Sequence, residues 1–228
     1  MEAMVSCTEV VKTYRQGKVE VQALRGVSLC IEKGGFAALA GPSGSGKTTI
    51  LNLIGGLDQP DSGTVVVDGN DFRQMNQSQL AQLRLHKIGF VFQAYNLIPV
   101  LSAMENVEYV MLLQGIPLKE RRERSKAVLD EVGLAGMYDR RPAELSGGQQ
   151  QRVAVARAIV SNPSIVLADE PTANLDSKTG MGLLEIMREM NEKRKVTFIF
   201  STHDERVMAC ARRLIHIQDG RVAQDIRK

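Results

Sequence analysis

The sequence predicts an α/β fold organised around a mainly parallel β-sheet. Short apolar runs at 36–40, 165–168 and 196–201 have the composition of strands buried on both faces. Segments with helical periodicity lie between such runs, which is typical of a parallel sheet covered by helices. Ligands of these sheets bind beyond the carboxyl ends of the strands. Polar candidates follow the predicted strands directly, so we expect one functional edge: Gly41, Gln93, Asp169, Glu170 and His203.

Length and composition exclude several classes of protein. The 228 residues are 43% hydrophobic and 24% charged, which fits one large domain, or a core with an inserted lobe, and excludes wholesale disorder. A net charge of +3 is too small to indicate nucleic acid or an acidic membrane by itself. We expect neither a membrane-spanning helix nor a signal peptide, and the three unpaired cysteines predict reduced thiols in the cytoplasm.

Three parts follow one another along the chain. Strand patterns dominate the first part, where residues 27–31 alternate apolar and polar side chains with the period of a half-buried strand. Between 94 and 160, two helix-forming segments at 120–132 and 149–160 indicate a helical lobe inserted between strands. Strands and helices then alternate again, and a hairpin is predicted around Asp219-Gly220.

A glycine-rich segment predicts nucleotide binding. Residues 41–48, GPSGSGKT, match the pattern GxxxxGK[ST] of the P-loop. Its glycines let backbone N–H groups surround a phosphate chain, and the helix that follows adds the positive end of its dipole. Lys47 can reach the β- and γ-phosphates, and the Thr48 hydroxyl can ligate Mg²⁺. A flexible loop without function is the alternative, but the strand before it and the helix after it favour a phosphate site.

Two acids, Asp169 and Glu170, end the apolar run 165–168. Asp169 is suited to hold Mg²⁺ through water, and Glu170 to orient or deprotonate an attacking water. Capping of a following helix is the commoner role of such acids. Here Pro171 follows, and a phosphate ligand with Mg²⁺ needs a carboxylate, so we favour the catalytic interpretation.

The segment LSGGQ at 145–149 precedes the predicted helix 149–160. Ser146 could simply cap that helix. Two glycines before a helix start also form a concave group of N–H donors that binds anions. This second anion site has no triphosphate of its own, so we expect it to face the nucleotide of another molecule.

Together these motifs resemble the ATP-binding cassette (ABC) family, whose signature sequence is LSGGQ, and the resemblance covers essentially the whole chain. It implies an α/β P-loop NTPase fold with a mainly parallel core sheet, an N-terminal antiparallel β subdomain and an inserted α-helical subdomain. It also implies a single nucleotide-binding domain, 1–228, in which 1–93 and 161–228 form the core with the β subdomain, and 94–160 form the helical subdomain that carries the signature.

The resemblance assigns further roles. Gln93 is similar to the Q-loop glutamine, which senses Mg²⁺ and the membrane subunit. Residues 173–176 are similar to the D-loop. His203 is similar to the switch histidine, which contacts the γ-phosphate. Tyr14 is a candidate for the aromatic ring that stacks on adenine. Considered alone, Gln93 would be an ordinary strand-end residue, and His203 and Tyr14 would be packing residues.

The resemblance implies a set of site residues. The implied catalytic residues are Glu170, His203 and Gln93, and the implied metal ligands are Thr48, Gln93 and Asp169. The implied ATP-binding residues are Tyr14, Gly41, Pro42, Ser43, Gly44, Ser45, Gly46, Lys47, Thr48, Thr49, Ser146, Gly147, Gly148 and Gln149.

The resemblance implies an ATPase that uses ATP and Mg²⁺ to drive a separate ABC permease. Segments 55–60, 92–99 and 171–176 resemble the ATPases of lipoprotein-release and macrolide-export systems, although the family often has Gly where Ala173 stands. In the ATP-bound state two chains would enclose two ATP molecules head to tail. The expected location is cytoplasmic, peripheral on the inner face of the membrane. Leu97, Ile98, Val100 and Leu101 are predicted to form an apolar socket for a permease helix.

Two alternatives stay open. A division-type ATPase would signal through its permease without transport, and its cassette would look the same. A soluble ABC ATPase acting on DNA or ribosomes is less favoured, because no heptad tract separates Lys47 from Ser146 and the chain carries one cassette. The charged run 119–126 is predicted to be a solvated helix face, so we expect no nucleic-acid partner.

Overall fold

A six-stranded sheet forms the centre of the computed structural model, which describes residues 2–17 and 19–228. The strand order is β10-β9-β3-β8-β7-β6, and every neighbouring pair is parallel except the hairpin of β9 and β10. The predicted mainly parallel sheet and the C-terminal hairpin are therefore confirmed. The strands are β3 (Phe36–Ala40), β6 (Ile88–Val91), β7 (Ile165–Ala168), β8 (Thr197–Thr202), β9 (Arg213–Gln218) and β10 (Arg221–Arg227).

A second, antiparallel sheet has the strand order β2-β1-β4-β5. It contains β1 (Ala3–Gln16), β2 (Val19–Glu32), β4 (Ser62–Val67) and the short β5 (Asn70–Asp71). In β2 the side chains of Val27, Leu29 and Ile31 are buried, whereas those of Ser28 and Cys30 are exposed. The alternation read from the sequence thus marks a strand with one face on the core, as predicted.

The described residues contain seven α-helices: α1 (Lys47–Ile54), α2 (Gln77–Lys87), α3 (Ala103–Leu113), α4 (Leu118–Glu131), α5 (Gly147–Ile159), α6 (Ser177–Arg194) and α7 (Glu205–Cys210). Apolar periodicity did not predict α2, because its buried residues are only Leu80 and Leu83. A capping box of Asn76 and Gln79 starts it, and this was the available sequence signal. Within the described residues, no helix combines the length and the apolar character that crossing a membrane requires.

The six-stranded sheet separates two hydrophobic cores. Successive residues of β8 show this: Phe198 and Phe200 belong to the core beneath α3, α4, α5 and α6, and Ile199 belongs to the core shared with α1, α2 and the antiparallel sheet. Because both faces are covered, the central strands cannot alternate apolar with polar side chains. This explains the continuous apolar runs that predict the fold.

Strand β6 and helix α5 approach each other closely at Gly89. A Cβ atom built on Gly89 would lie 2.1 Å from the carbonyl oxygen of Ala158, well inside van der Waals contact. Both groups belong to rigid backbone, so neither can move aside cheaply. Glycine at this position therefore sets the distance between the end of β6 and the helix that begins at the signature segment.

We expect Gly89→Ala to lower the free energy of unfolding by at least about 2 kcal/mol, because the added methyl group forces two buried backbones apart. The matched control is Gly182→Ala in α6, where the new Cβ meets only the Arg152 guanidinium at 3.8 Å. There alanine should stabilise the helix by up to about 1 kcal/mol. Urea unfolding followed by circular dichroism measures both values, and equal midpoints for Gly89→Ala and the wild type would contradict the close approach.

Candidate active site

The parallel pairing brings the predicted candidates together. Strands β3, β8, β7 and β6 are parallel neighbours, so their carboxyl ends share one edge of the sheet. Gly41 follows β3, Asp169 follows β7, and His203 follows β8. Gln93 lies two residues beyond the end of β6. The strand order thus places these candidates at one edge of the sheet, as expected, and their roles stay predictions.

The P-loop is packed so tightly that two of its glycines are sterically required. A Cβ atom on Gly41 would lie 2.1 Å from the carbonyl oxygen of Ile217, and one on Gly46 would lie 2.8 Å from that of Ala23. Both residues also have positive φ angles, 149° and 108°. The loop is therefore held against β2 and β9, with its backbone N–H groups available around the start of α1.

Lys47 is buried at the first position of α1. Its ammonium group donates hydrogen bonds to the carbonyl oxygens of Gly41 at 2.8 Å and Pro42 at 2.9 Å. Burial lowers the pKa of Lys47, while the charges of Glu170 and Asp169 act in the opposite direction. The Lys47 ammonium is thus held over the loop by hydrogen bonds to two neutral carbonyl oxygens. An anionic ligand can replace these weak acceptors.

A cavity of about 390 Å³ opens beside the P-loop. Six residues of the P-loop and the start of α1 line it, Ser43, Gly44, Gly46, Lys47, Thr48 and Thr49, and their backbone N–H groups with the Lys47 ammonium suit a phosphate chain. A larger cavity of about 630 Å³ lies among α3, α4 and residues 138–141, away from the P-loop, and mixes acidic and basic side chains without a preference for one charge. The residues that line the cavity beside the P-loop are Val21, Gln22, Ala23, Arg25, Ser43, Gly44, Gly46, Lys47, Thr48, Thr49, Glu170, Asp219 and Gly220.

Asp169 and Thr48 bring two oxygen donors together. The Thr48 hydroxyl donates to Asp169 Oδ1 at 3.1 Å, and the Ser201 hydroxyl donates to the same oxygen at 2.6 Å. Hydroxyl and carboxylate oxygens are the donors that Mg²⁺ prefers, and it commonly takes one or two carboxylates with substrate phosphates. In the described part of the chain, no group of three or more His, Cys, Asp or Glu side chains could hold a metal alone. The pair therefore fits Mg²⁺ bound together with phosphate oxygens.

Glu170 is held from two sides. Its Oε2 lies 2.8 Å from His203 Nδ1, and its backbone N–H donates to the Ser201 hydroxyl at 2.9 Å. The φ angle of Glu170 is 45°, a left-handed conformation that is uncommon for a non-glycine residue. Glu170 lines the cavity beside the P-loop, so its carboxylate faces the place where phosphate would bind.

Gln93 is exposed at the edge of the sheet, and its carbonyl oxygen accepts a hydrogen bond from Asn174 Nδ2 at 3.0 Å. This bond joins the segment after β6 to the predicted D-loop, residues 173–176. The structure thus places Gln93 near the acids by strand order and connects it to the loop that follows them.

Tyr14 is tethered beside the cavity and does not line it. Its hydroxyl donates to Asp58 Oδ2 at 2.8 Å, and Lys12 donates to Asp58 Oδ1 at 2.8 Å. The Lys12 ammonium also lies 5.2 Å from the centre of the Tyr14 ring. Tyr14 pairs across β1 and β2 with Val21, which does line the cavity. The ring is 39% exposed, so one side is free to meet a ligand.

The signature segment caps α5 and leaves its start exposed. Ser146 Oγ accepts from the Gln149 N–H at 3.3 Å, and Gln149 Oε1 accepts from the Ser146 N–H at 2.9 Å, so the capping role is present. Ser146 itself is exposed, with Gly147, Gly148 and Gln149 half-buried. None of these four described residues lines the cavity beside the P-loop. The signature segment and the P-loop of one chain therefore do not share a cavity.

Comparison with known proteins identifies the family. Residues 24–173 match the family model described as ABC transporter. The chain belongs to the ABC transporter family. It is an ATP-binding cassette of the ATPase type, as its motifs predict.

The similar ABC proteins include both separate cassettes and fused transporters. An uncharacterized ABC transporter ATP-binding protein of Thermotoga maritima is 47% identical over 222 residues, 97% of this chain and 94% of that protein. The macrolide export ATP-binding/permease protein MacB of Syntrophobacter fumaroxidans is 48% identical over 219 residues, which are 95% of this chain and 31% of MacB. The chain thus spans about a third of that relative's length.

A solved ABC cassette has nearly the same fold. The dimeric structure of a cassette from Methanocaldococcus jannaschii, in a post-hydrolysis state bound to ADP and Pi, superposes with a TM-score of 0.91. The two chains are 42% identical, and the match covers 98% of each. The P-loop NTPase cassette fold predicted from the sequence is confirmed.

Sequence reasoning about the ABC motifs missed two residues of this site. Asp58 holds the Tyr14 hydroxyl, and Ser201 contacts both Asp169 and Glu170. The sequence signal for Ser201 is a small polar residue directly after the apolar run Phe198, Ile199 and Phe200 of strand β8. Nothing local identifies Asp58, because its partners lie 44 and 46 positions away along the chain.

The hydrogen bond between the Tyr14 hydroxyl and Asp58 predicts how the Tyr14 phenol titrates. Burial, followed by the hydrogen bond to Asp58, raises the pKa of the Tyr14 phenol, with a smaller opposing effect of Thr49. Asp58→Asn removes the negative charge and keeps the shape, so we expect the pKa of Tyr14 to move down toward its ordinary value. Carbon-13 NMR of labelled tyrosine rings measures this, with Tyr14→Phe to assign the signal.

The matched control is Asp130→Asn. A hydrogen bond to Asp130 raises the pKa of Tyr138, so this variant should lower the pKa of Tyr138 and leave Tyr14 unchanged. An unchanged Tyr14 titration in Asp58→Asn would show that the hydroxyl is not tethered in solution.

Proposed function

We propose that this ABC ATPase drives a separate membrane permease, and that the residues at the carboxyl edge of the sheet bind and hydrolyse ATP with Mg²⁺. The observation that carries the proposal is the cluster at this edge. A phosphate-binding loop with Lys47, the oxygen pair of Thr48 and Asp169, and the contact of Glu170 with His203 belong to one site.

Binding uses the P-loop first. The backbone N–H groups of residues 41–49 and the Lys47 ammonium bind the phosphates, and the ligand replaces the two carbonyl oxygens that Lys47 now contacts. Each charge-assisted hydrogen bond contributes about 1.5–3 kcal/mol, so several of them give tight binding. The exposed side of the Tyr14 ring stacks on the adenine.

Hydrolysis uses Glu170. Its carboxylate faces the phosphate cavity and orients or deprotonates the attacking water. His203 contacts Glu170 Oε2 and reaches the γ-phosphate, which links the base to the phosphoryl group that the water attacks, while ADP leaves. Thr48, Gln93 and Asp169 would hold Mg²⁺, which supplies charge neutralisation for the phosphates when bound.

The active unit is a head-to-tail dimer. Ser146 is exposed, and residues 146–149 do not line the cavity of their own chain, so the ATP of one chain would meet the signature of the other. The solved relative is a dimer bound to ADP and Pi. ATP joins the two chains through contacts to both, and its hydrolysis removes them, which gives the two states that a switch requires.

An apolar groove is the proposed docking site for the permease. The cavity has a volume of about 580 Å³, and Leu57, Leu85, Phe90, Phe92 and Leu113 form its apolar walls. The four residues predicted as the socket do not line it. Of those, Leu97 packs on the core and Val100 is 71% exposed outside the groove.

The charge of the groove defines its partner. Arg84 donates to the carbonyl oxygen of Gly56, and Arg157 donates to those of Tyr95 and Asn96. Among the described residues that line the groove, none is acidic. We therefore expect an amphipathic permease helix with an acidic side chain, and a cassette that is peripheral on the cytoplasmic face of the membrane. The helical subdomain, 94–160, supplies one wall of the groove, and the core, 1–93 and 161–228, supplies the other.

The permease is of the lipoprotein-release or macrolide-export type in this proposal. The relatives named MacB carry an ATP-binding part and a permease in one protein, and the chain matches the ATP-binding third. A division-type system that signals without transport would use the same cassette, and the identity of the recovered permease separates the two.

The composite dimer is tested by mixing two inactive variants. Lys47→Ala removes the phosphate cation, and Ser146→Arg blocks the signature; each homodimer should lose ATPase activity. A mixed dimer has one intact site and one doubly damaged site if the signature acts on the other chain. Random mixing should then restore roughly a quarter of the wild-type rate, since half of the dimers are mixed and one of their two sites is whole.

If each signature served the ATP of its own chain, no mixed dimer would contain an intact site. ATP-dependent heterodimer formation should be measured by size exclusion in the same samples, because activity could also require both sites. Absence of both rescue and heterodimer, with both variants folded, would rule out the head-to-tail arrangement.

The groove is tested with a matched pair of exposed leucines. Leu113, 57% exposed, lines the groove, whereas Leu118, 51% exposed at the start of α4, does not. Leu113→Asp puts a charge among apolar walls and should reduce recovery of the permease with the tagged ATPase from detergent-solubilised membranes at least about tenfold. Leu118→Asp should leave recovery unchanged. Equal recovery with both variants would exclude this groove as the docking site.

A further inference from the structure

Ser201 is a buried polar residue that follows the apolar middle of strand β8. It lies in β8 directly after Phe198, Ile199 and Phe200, and it is fully buried, with 0% of its surface exposed. A hydroxyl in such a place costs free energy unless it is hydrogen-bonded. Its two hydrogen bonds both go to the acidic pair that follows the neighbouring strand β7.

The hydroxyl fixes the carboxylate of Asp169. Ser201 Oγ donates to Asp169 Oδ1 at 2.6 Å, a short bond to a charged acceptor, and Thr48 Oγ1 donates to the same oxygen at 3.1 Å. Two donors from different elements on one oxygen determine the direction of the carboxylate. They leave its other oxygen, Oδ2, without a hydrogen bond from any described residue, and therefore free for a metal-bound water.

The same hydroxyl also holds the backbone of Glu170. It accepts the Glu170 N–H at 2.9 Å, and Glu170 has the left-handed φ angle of 45°. A non-glycine residue keeps such a conformation only where its surroundings hold it. This backbone conformation places the Glu170 carboxylate 2.8 Å from His203 Nδ1, on the next loop of the same edge.

We propose that Ser201 is a positioning residue of the ATPase site, whose one hydroxyl sets the Asp169 carboxylate and the Glu170 backbone together. The proposal rests on the roles of Asp169 and Glu170 in the proposed function. Ser201 does not line the cavity beside the P-loop, so it acts through the two acids. One side-chain oxygen must donate a hydrogen bond to Asp169 and accept one from the Glu170 N–H. Only a hydroxyl side chain of this size can do both.

Loss of the hydroxyl should affect turnover more than ATP binding. The groups that bind the phosphates, the P-loop N–H groups and Lys47, make no hydrogen bond with Ser201 in the described structure. The acids act in hydrolysis, where small errors in direction reduce the rate steeply. A residue that served only the fold would change stability and leave the kinetic constants alone.

The experiment compares Ser201→Thr with Ser201→Val. Threonine and valine have nearly the same shape and add the same methyl group, but only threonine keeps the hydroxyl. With purified full-length chain and Mg-ATP, we expect Ser201→Val to lose about tenfold in kcat, with KM for ATP within about twofold of wild type, as for loss of one hydrogen bond to a charged group. Ser201→Thr should keep most of the rate.

Ser201→Ala removes the hydroxyl without adding a methyl group, so it tests the proposal even if the larger side chains of threonine and valine do not fit. It should also lose about tenfold in kcat with little change in KM. The Mg²⁺ concentration needed for half-maximal rate should rise in the valine and alanine variants and stay unchanged in the threonine variant. Thermal unfolding shows whether each variant is folded.

Wild-type kcat in both Ser201→Val and Ser201→Ala would overturn the proposal. An equal loss of kcat in Ser201→Thr and Ser201→Val, with the wild-type rate in Ser201→Ala, would also overturn it. In that case the added methyl group, and not the hydroxyl, would control the rate. A wild-type chain without Mg²⁺-dependent ATPase activity would instead refute the proposed function itself. The two failures are therefore distinguishable.

Discussion

The parallel pairing of β3, β8, β7 and β6 is the constraint on which the rest of the structure depends. Parallel neighbours end on the same side, so the P-loop, the acidic pair and His203 meet although more than 150 positions separate the first from the last. Such a sheet must be covered on both faces, because its connections cross over as helices. The two hydrophobic cores are the result, and they pack the strands that carry the candidate residues from both sides.

Close backbone contact is the second requirement of this architecture. Gly89 lets β6 lie directly against α5, and Gly41 and Gly46 let the P-loop lie against β9 and β2. In each place a Cβ atom would meet a carbonyl oxygen at 2.8 Å or less. Glycine here serves packing as well as phosphate binding, because the loop must be held before its N–H groups can form a cradle.

Helix α5 connects the parts of the site that lie far apart. Its first turn is the signature segment, and further along it Gln151 donates to the carbonyl oxygen of Pro171, beside the acids. Arg157, near its end, holds the carbonyl oxygens of Tyr95 and Asn96, two residues with left-handed backbone at the groove. In the proposed function, a shift of a permease helix in the groove would therefore reach the signature through this one helix.

The sequence by itself determined the fold class, the P-loop, the acidic pair and the signature. Each of these is a local pattern: an apolar run, a glycine spacing, or a polar residue directly after a strand. It also determined α5 closely, but not α2, whose face buries only two residues. Only the tertiary structure decided which residues support these motifs. Asp58 contacts Tyr14, and Ser201 contacts Asp169 and Glu170, across separations along the chain that no local pattern records.

The apolar groove also depends on the tertiary structure, because it is lined by residues from α2, β6, α3 and α5. Its position depends on how the helices after Gln93 pack against the sheet, which no local pattern records.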